Sequence, residues 1–202
     1  MTPMDQGSGE VAEEDAARAH VYVLLGRLLL AAPADDLLER LRGLAGDAGK
    51  VGEALGALGA AARAATADAA AAEYDALFIG LARGELVPYA SYYLTGFLHE
   101  KPLARLRGDM ARLGIARVET ASEPEDHAGA LCEMMAGLIV GAFGAPADLA
   151  EQKRFFAAHL GTWAPRFFED LEAAGAADFY RSVGRLGRTF LDVETRAFAM
   201  AA

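Results

Sequence analysis

An acidic segment that ends in a histidine carries the side chains of this chain that are best suited to chemistry. Glu123, Glu125, Asp126 and His127 stand within the run Ser-Glu-Pro-Glu-Asp-His. Carboxylates form charge-assisted hydrogen bonds with guanidinium groups, and these bonds are stronger than those between neutral partners. The segment is therefore a candidate site for a basic peptide, with arginine as the side chain that fits best.

The same segment also has a purely structural interpretation. Ser122 and Glu125 have the spacing of a capping box, and Pro124 would then occupy the first helical turn. Acids in that turn stabilise the helix dipole. A helix that starts here places Glu123 and His127 at i, i+4 on one face. His127 is then either a buried, hydrogen-bonded histidine or a group that lines a pocket.

A long aromatic connection is the second candidate. It runs from Gly80 to Gly96 and contains Pro88, Tyr89, Tyr92 and Tyr93, and Phe97 follows it directly. Connections of this length are either functional or disordered, and so many aromatic rings argue for packing. The rings would offer buried area to an apolar part of a partner peptide. Alternatively, they only cover the end of the fold.

Other chemistries find no support in the residue pattern. The histidines His20, His99, His127 and His159 form no H-E-x-x-H pair or Glu-x-x-His repeat, so we expect no metal site. Cys132 has no identifiable base partner and is predicted to be an inert buried thiol. There is no phosphate-binding glycine loop. The sequence predicts no cofactor and no enzyme active site.

Composition limits the choice of partner. The formal net charge of −10 argues against a nucleic-acid binder and against an anionic membrane surface, but it suits a basic peptide. A single cysteine rules out an internal disulfide and agrees with a reducing cytoplasm. The most apolar run, His20 to Ala34, is too short to span a membrane and contains Arg27, so no stable membrane insertion is predicted.

The elements that must position these candidates are helices. Apolar residues recur at helical spacing along most of the chain, and the last helix shows it best, with Phe179, Val183, Leu186, Phe190, Val193 and Ala197 on one face. No stretch alternates in the manner of a strand. We therefore predict an all-α, single-domain bundle of about nine to ten helices. Residues 1–11 are expected to form a loose tail, and residues 12–202 the helical domain.

Four stretches carry motifs that occur together in a known family. They are Glu73-Tyr74-Asp75-Ala76-Leu77-Phe78 with Gly80, Pro88-Tyr89-Ala90-Ser91-Tyr92-Tyr93, Glu123-Pro124-Glu125-Asp126-His127 with Glu133 and Met134, and an F-x-x-H-L-x-x-W pattern from Phe156 to Trp163. In these stretches the chain resembles the redox-enzyme maturation chaperones of the TorD/DmsD type. Two positions depart from the pattern. Leu81 stands where a proline often occurs, and Ala90 where an acid often precedes the serine.

The resemblance implies an all-helical cytoplasmic chaperone rather than an enzyme. Such proteins bind the twin-arginine signal peptide, and sometimes the body, of a molybdopterin-dependent oxidoreductase, and they delay its export until the cofactor is inserted. By analogy the peptide site consists of Phe78, Pro88, Tyr89, Ser91, Tyr92, Glu123, Asp126 and His127. A helical scaffold protein and a weak nucleotide-binding switch without catalysis are the alternatives. Monomer and homodimer both fit.

Overall fold

The computed structural model describes residues 7–80, 83–117 and 123–201, with side chains from Glu13 onward. The helices are α1 (Gly7–Leu30), α2 (Asp35–Arg42), α3 (Lys50–Ala64), α4 (Ala67–Tyr74), α5 (Ala90–Thr95), α6 (Lys101–Leu113), α7 (Ala128–Val140), α8 (Leu149–His159), α9 (Ala164–Ala173) and α10 (Phe179–Met200), and a π-helical turn (Asp75–Ile79) continues α4. The described ranges hold ten α-helices and no β-strand, which confirms the predicted all-α bundle. No helix in them combines the length and apolar composition that a membrane span requires.

The packing of α1 on α7 forms the part of the core that supports the candidate site. Two glycines let the backbones of these helices approach closely. A Cβ atom on Gly26 would lie 3.1 Å from the carbonyl oxygen of Gly129, and one on Gly129 would lie 3.0 Å from the carbonyl oxygen of Gly26. The first turn of α7 is therefore held against α1, and His127, which directly precedes α7, is positioned with it.

The start of α10 is capped by a side chain from a distant helix. The carboxylate of Glu73, at the end of α4, accepts hydrogen bonds from the backbone N–H groups of Asp178, Phe179 and Tyr180, at 2.7, 3.0 and 2.6 Å. The first N–H groups of a helix have no partner within the helix, so this carboxylate satisfies them. The glutamate of the first family-like motif therefore has a structural role. The predicted last helix is confirmed.

A buried carboxylate joins α1 to α10. Glu194 accepts hydrogen bonds from the guanidinium of Arg18, at 2.8 and 2.9 Å, and from the hydroxyl of Tyr22 at 3.0 Å. A buried charge is tolerated only when it is paired and hydrogen-bonded, as it is here. Glu194 and Arg18 thus form a structural ion pair between α1 and α10.

The structure corrects the predicted start of α7. The helix begins at Ala128, and His127 is its N-cap residue. Ser122, the residue predicted to cap it, lies outside the described residues. The predicted i, i+4 relationship of Glu123 and His127 on a helix is wrong, because the chain around His127 pairs with the segment around Tyr89 instead.

Two other predicted boundaries also shift. The aromatic connection contains the short helix α5, so it is not loop throughout. At the N-terminus, α1 begins at Gly7, inside the stretch predicted as a tail, and residues 1–6 lie outside the described part of the chain.

Candidate functional site

The two candidate segments lie side by side. Tyr89 and His127 form an isolated antiparallel bridge. The backbone N–H of Ala90 donates to the carbonyl of Asp126 at 3.0 Å, and the N–H of Ala128 donates to the carbonyl of Pro88 at 2.8 Å. These hydrogen bonds join the proline/aromatic segment to the acidic segment.

Asp126 holds the start of α5. One of its carboxylate oxygens accepts a hydrogen bond from the backbone N–H of Ser91 at 2.8 Å, and the residue is only 2% exposed. Among the described residues the other oxygen accepts no hydrogen bond, and the buried hydroxyl of Ser91 has no hydrogen-bond partner. Buried polar groups are rarely left unpaired. The second carboxylate oxygen of Asp126 and the hydroxyl of Ser91 can therefore each form a further hydrogen bond.

His127 is buried and uncharged. Its Nδ1 accepts a hydrogen bond from the backbone N–H of Gly129 at 3.0 Å, so the neutral ring carries its proton on Nε2. Burial lowers the pKa of His127 to about 4, against the opposing effect of the Glu123 and Asp126 carboxylates. At neutral pH the imidazole therefore adds no positive charge to the site.

Tyr89 connects the histidine to Glu123. The Tyr89 and His127 rings meet edge to face, with centroids 5.0 Å apart. The Tyr89 hydroxyl donates to the Glu123 carboxylate, and burial together with this hydrogen bond raises the pKa of Tyr89. Tyr89 is half-buried, so part of its side chain packs in the fold and part is exposed to solvent.

The third acid, Glu125, is already neutralised by an arginine. Its carboxylate accepts hydrogen bonds from Nε of Arg107 at 3.2 Å and from Nη2 of Arg107 at 2.8 Å. Nη1 of Arg117 lies 3.9 Å from Oε1 of the same carboxylate. Burial raises the pKa of Glu125, but the hydrogen bonds from Arg107, a backbone hydrogen bond and the charges of Arg107 and Arg117 together outweigh it, and the pKa is lowered. Within the described ranges Glu123 and Asp126 have no such arginine partner.

Six of the predicted site residues come together here, and two lie in other contacts. The six are Pro88, Tyr89, Ser91, Glu123, Asp126 and His127. Phe78 packs against Tyr180, with ring centroids 5.5 Å apart. Tyr92 lies under Arg83, whose guanidinium carbon is 5.1 Å from the ring centroid and whose Nη2 donates to the tyrosine hydroxyl at 2.8 Å.

Two residues near the site were not predicted from the sequence. Tyr74 contacts Phe78 at 5.0 Å between ring centroids, and its pKa is raised by burial and by the nearby charge of Glu123. It therefore links Phe78 to the acidic segment, and its place in the first family-like motif was a usable signal. Arg107 showed no such signal, because helix α6 is rich in arginines.

The other candidate groups have structural surroundings. His159 Nε2 lies 2.8 Å from a carboxylate oxygen of Asp109, and the His159 carbonyl accepts the indole N–H of Trp163 at 2.7 Å. Burial raises the pKa of the Cys132 thiol to about 12, which leaves it unreactive. In the part of the chain that the structure describes, no three His, Cys, Asp or Glu side chains converge to hold a metal ion.

Comparison with known proteins places this chain in a family. The family model described as nitrate reductase delta subunit matches residues 44–169, which include all four motif stretches. The chain belongs to the nitrate reductase delta subunit family. This match and the relatives named as TorD chaperones together confirm the resemblance to redox-enzyme maturation chaperones predicted from the motifs.

Relatives of this nitrate reductase delta subunit family member include chaperones. The chaperone protein TorD of Vibrio cholerae (strain O395) is 32% identical over 128 residues, which are 60% of this chain and 58% of the relative. TorD of Aliivibrio fischeri is 28% identical over 137 residues, or 64% of each chain. The chain thus spans less than two thirds of these curated relatives. Their names agree with the expectation of a protein without catalytic activity.

A solved structure supports the fold of the family member. A protein from Archaeoglobus fulgidus, described as a redox enzyme maturation protein, superposes with a TM-score of 0.58. The match covers 87% of this chain and 93% of the other at 22% sequence identity. At this identity the likeness establishes the shared helical architecture.

Proposed function

We propose that this protein is a cytoplasmic chaperone for a molybdopterin-dependent oxidoreductase. It binds the twin-arginine signal peptide of that enzyme, its apo form, or both, and so assists cofactor insertion before export. The observation that carries the proposal is the pairing of Tyr89 with His127, which brings the aromatic and acidic segments into one site. Family membership and relatives named as chaperones support the same role.

The charges of the site suit an arginine. Glu125 is occupied by Arg107, whereas Glu123 and the second oxygen of Asp126 are left for a guanidinium from outside. Neutral His127 does not repel that cation. The ring of Tyr89 offers apolar area beside the acids, so a peptide that carries arginines next to apolar residues matches the site.

The net charge of −10 acts at longer range. An acidic protein attracts a basic peptide and accelerates its encounter, and salt screens this attraction. Binding of such a peptide is therefore expected to weaken as ionic strength rises.

The test is a binding titration with a synthetic peptide that contains two adjacent arginines followed by an apolar stretch. Asp126→Asn keeps an oxygen for the Ser91 N–H but removes the charge, and it should weaken binding at least about tenfold. Asp36→Asn is the matched control, because Asp36 is an exposed acid on α2 with only a 3.8 Å contact to Arg40. Equal affinity of the Asp126→Asn variant and the wild type would contradict the proposed site.

A further inference from the structure

Three large apolar side chains lie exposed at the end of α5. Leu94 is 45% exposed, Phe97 is 69% exposed and Leu98 is 44% exposed. We call these three residues the Phe97 patch. Single exposed apolar residues are common, but three within five residues of the chain, one of them aromatic, are typical of an interaction surface.

The backbone of the patch is held in place by hydrogen bonds. The N–H of Phe97 donates to Oγ1 of Thr95 at 3.2 Å, and the Thr95 hydroxyl donates to the carbonyl of Ser91 at 2.8 Å. Gly96 and His99 on either side adopt positive φ angles of 82° and 59°. A non-glycine residue in this region is uncommon. The turn is thus ordered with its phenylalanine outward, and an ordered surface loses less entropy when it binds.

The patch and the candidate site lie at the two ends of α5. The N-terminal end of this helix carries the Ser91 N–H that donates to Asp126. Leu94 lies three residues later, on the same side of the helix. A helix of six residues is about 9 Å long, a distance that about three residues of extended chain cover. One extended peptide can therefore reach both ends.

We propose that the Phe97 patch binds the apolar stretch that follows the arginines in the client's signal peptide. This inference rests on the proposed function. It adds the surface that binds the apolar part of the peptide. Charge favours this occupant over a second copy of the chain, because two copies with a net charge of −10 each repel one another, whereas a basic peptide is attracted.

The experiment compares two fluorescent peptides by anisotropy, using the full chain. The first has two adjacent arginines followed by about 12 leucine and alanine residues. In the second the same arginines precede serine and glycine only. Each is titrated with wild type, with Leu94→Ser/Phe97→Ser and with Leu149→Ser. Leu149 is 47% exposed at the start of α8 and serves as the matched control.

The double variant should lose at least about tenfold in affinity for the apolar peptide. It should bind the serine/glycine peptide as tightly as the wild type does. The Leu149→Ser variant should bind both peptides normally. Unchanged affinity of the double variant for the apolar peptide would overturn the patch assignment while leaving the proposed function intact. If wild type binds neither peptide, the proposed function itself fails.

Light scattering on the same variants tests the competing occupant. If the double variant converts a dimer into a monomer and keeps full affinity for the apolar peptide, the patch is a self-association surface and the proposal is wrong. If the oligomeric state is the same in wild type and variant while affinity for the apolar peptide falls, the signal-peptide assignment is supported.

Discussion

The carboxylate of Asp126 accepts a hydrogen bond from the backbone N–H of Ser91 at 2.8 Å, across two segments that are distant in the sequence. This contact sets the start of α5 relative to the acidic segment. Asp126, which we propose as a partner of a basic ligand, therefore also has a structural role. Substitutions at this position must be chosen so that the two roles are separated.

Asp126→Ala should destabilise the protein more than Asp126→Asn does. Alanine leaves the Ser91 N–H buried without an acceptor, which costs about 1–3 kcal/mol. Asparagine retains an oxygen that can accept this hydrogen bond. The free energies of unfolding from urea titrations of both variants measure the difference. Equal stabilities would show that the hydrogen bond contributes little.

The stability of the protein should fall in mild acid because of His127. Its pKa is lowered to about 4 by burial, from 6.5 for a free histidine. Between these values the unfolded chain binds more protons than the folded one, so the free energy of unfolding falls as pH drops from 6.5 towards 4. The full loss is about 3–3.5 kcal/mol.

The variant His127→Asn isolates that contribution. Asparagine can accept the N–H of Gly129 as an N-cap residue but does not titrate. Burial also lowers the pKa of His159, which is present in both proteins and cancels in the comparison. Urea titrations at pH 7 and pH 5 should show a smaller loss in the variant. If both proteins lose the same free energy of unfolding between pH 7 and pH 5, the pKa of His127 is not lowered by folding.

Removal of the cap on α10 should lower stability without changing peptide binding. Glu73→Ala leaves the N–H groups of Asp178, Phe179 and Tyr180 without their acceptor, which costs about 1–2 kcal/mol. The matched control is Glu39→Ala, since Glu39 is an exposed acid whose one ion pair among the described residues is with Arg42 within α2. Thermal melts measure the effect. An unchanged Tm in Glu73→Ala would contradict the capping role.

Alanine substitutions at two glycines should have opposite effects on stability. A Cβ atom at Gly129 would lie 3.0 Å from the carbonyl oxygen of Gly26 and 2.7 Å from Leu30 Cγ, so Gly129→Ala should destabilise by about 1–3 kcal/mol. At Gly108 in α6 a Cβ atom meets nothing within 4 Å. Gly108→Ala should therefore stabilise by about 0.5–1 kcal/mol. Urea titrations distinguish the two, and a neutral Gly129→Ala would show that the helices can separate at little cost.

Local patterns were enough to predict most of the helices. The stripe from Phe179 to Ala197 follows helical spacing, and α10 covers it. The start of α7 could not be predicted in this way. The sequence around Ser122 satisfies the rules for a capping box, but the chain near His127 forms backbone hydrogen bonds with the segment around Tyr89. A long-range pairing of this kind overrides a local preference and leaves no periodic signal.

The sequence by itself determined the all-α class, the acidic character and the family, because these depend on composition, on helical periodicity and on motifs of fixed spacing. Only the tertiary structure decided which acids already have partners within the fold. Glu73 caps α10 and Glu125 pairs with Arg107, whereas Glu123 and Asp126 lie beside Tyr89 and Ser91. These roles depend on contacts between residues that are far apart in the chain, and no local spacing encodes them.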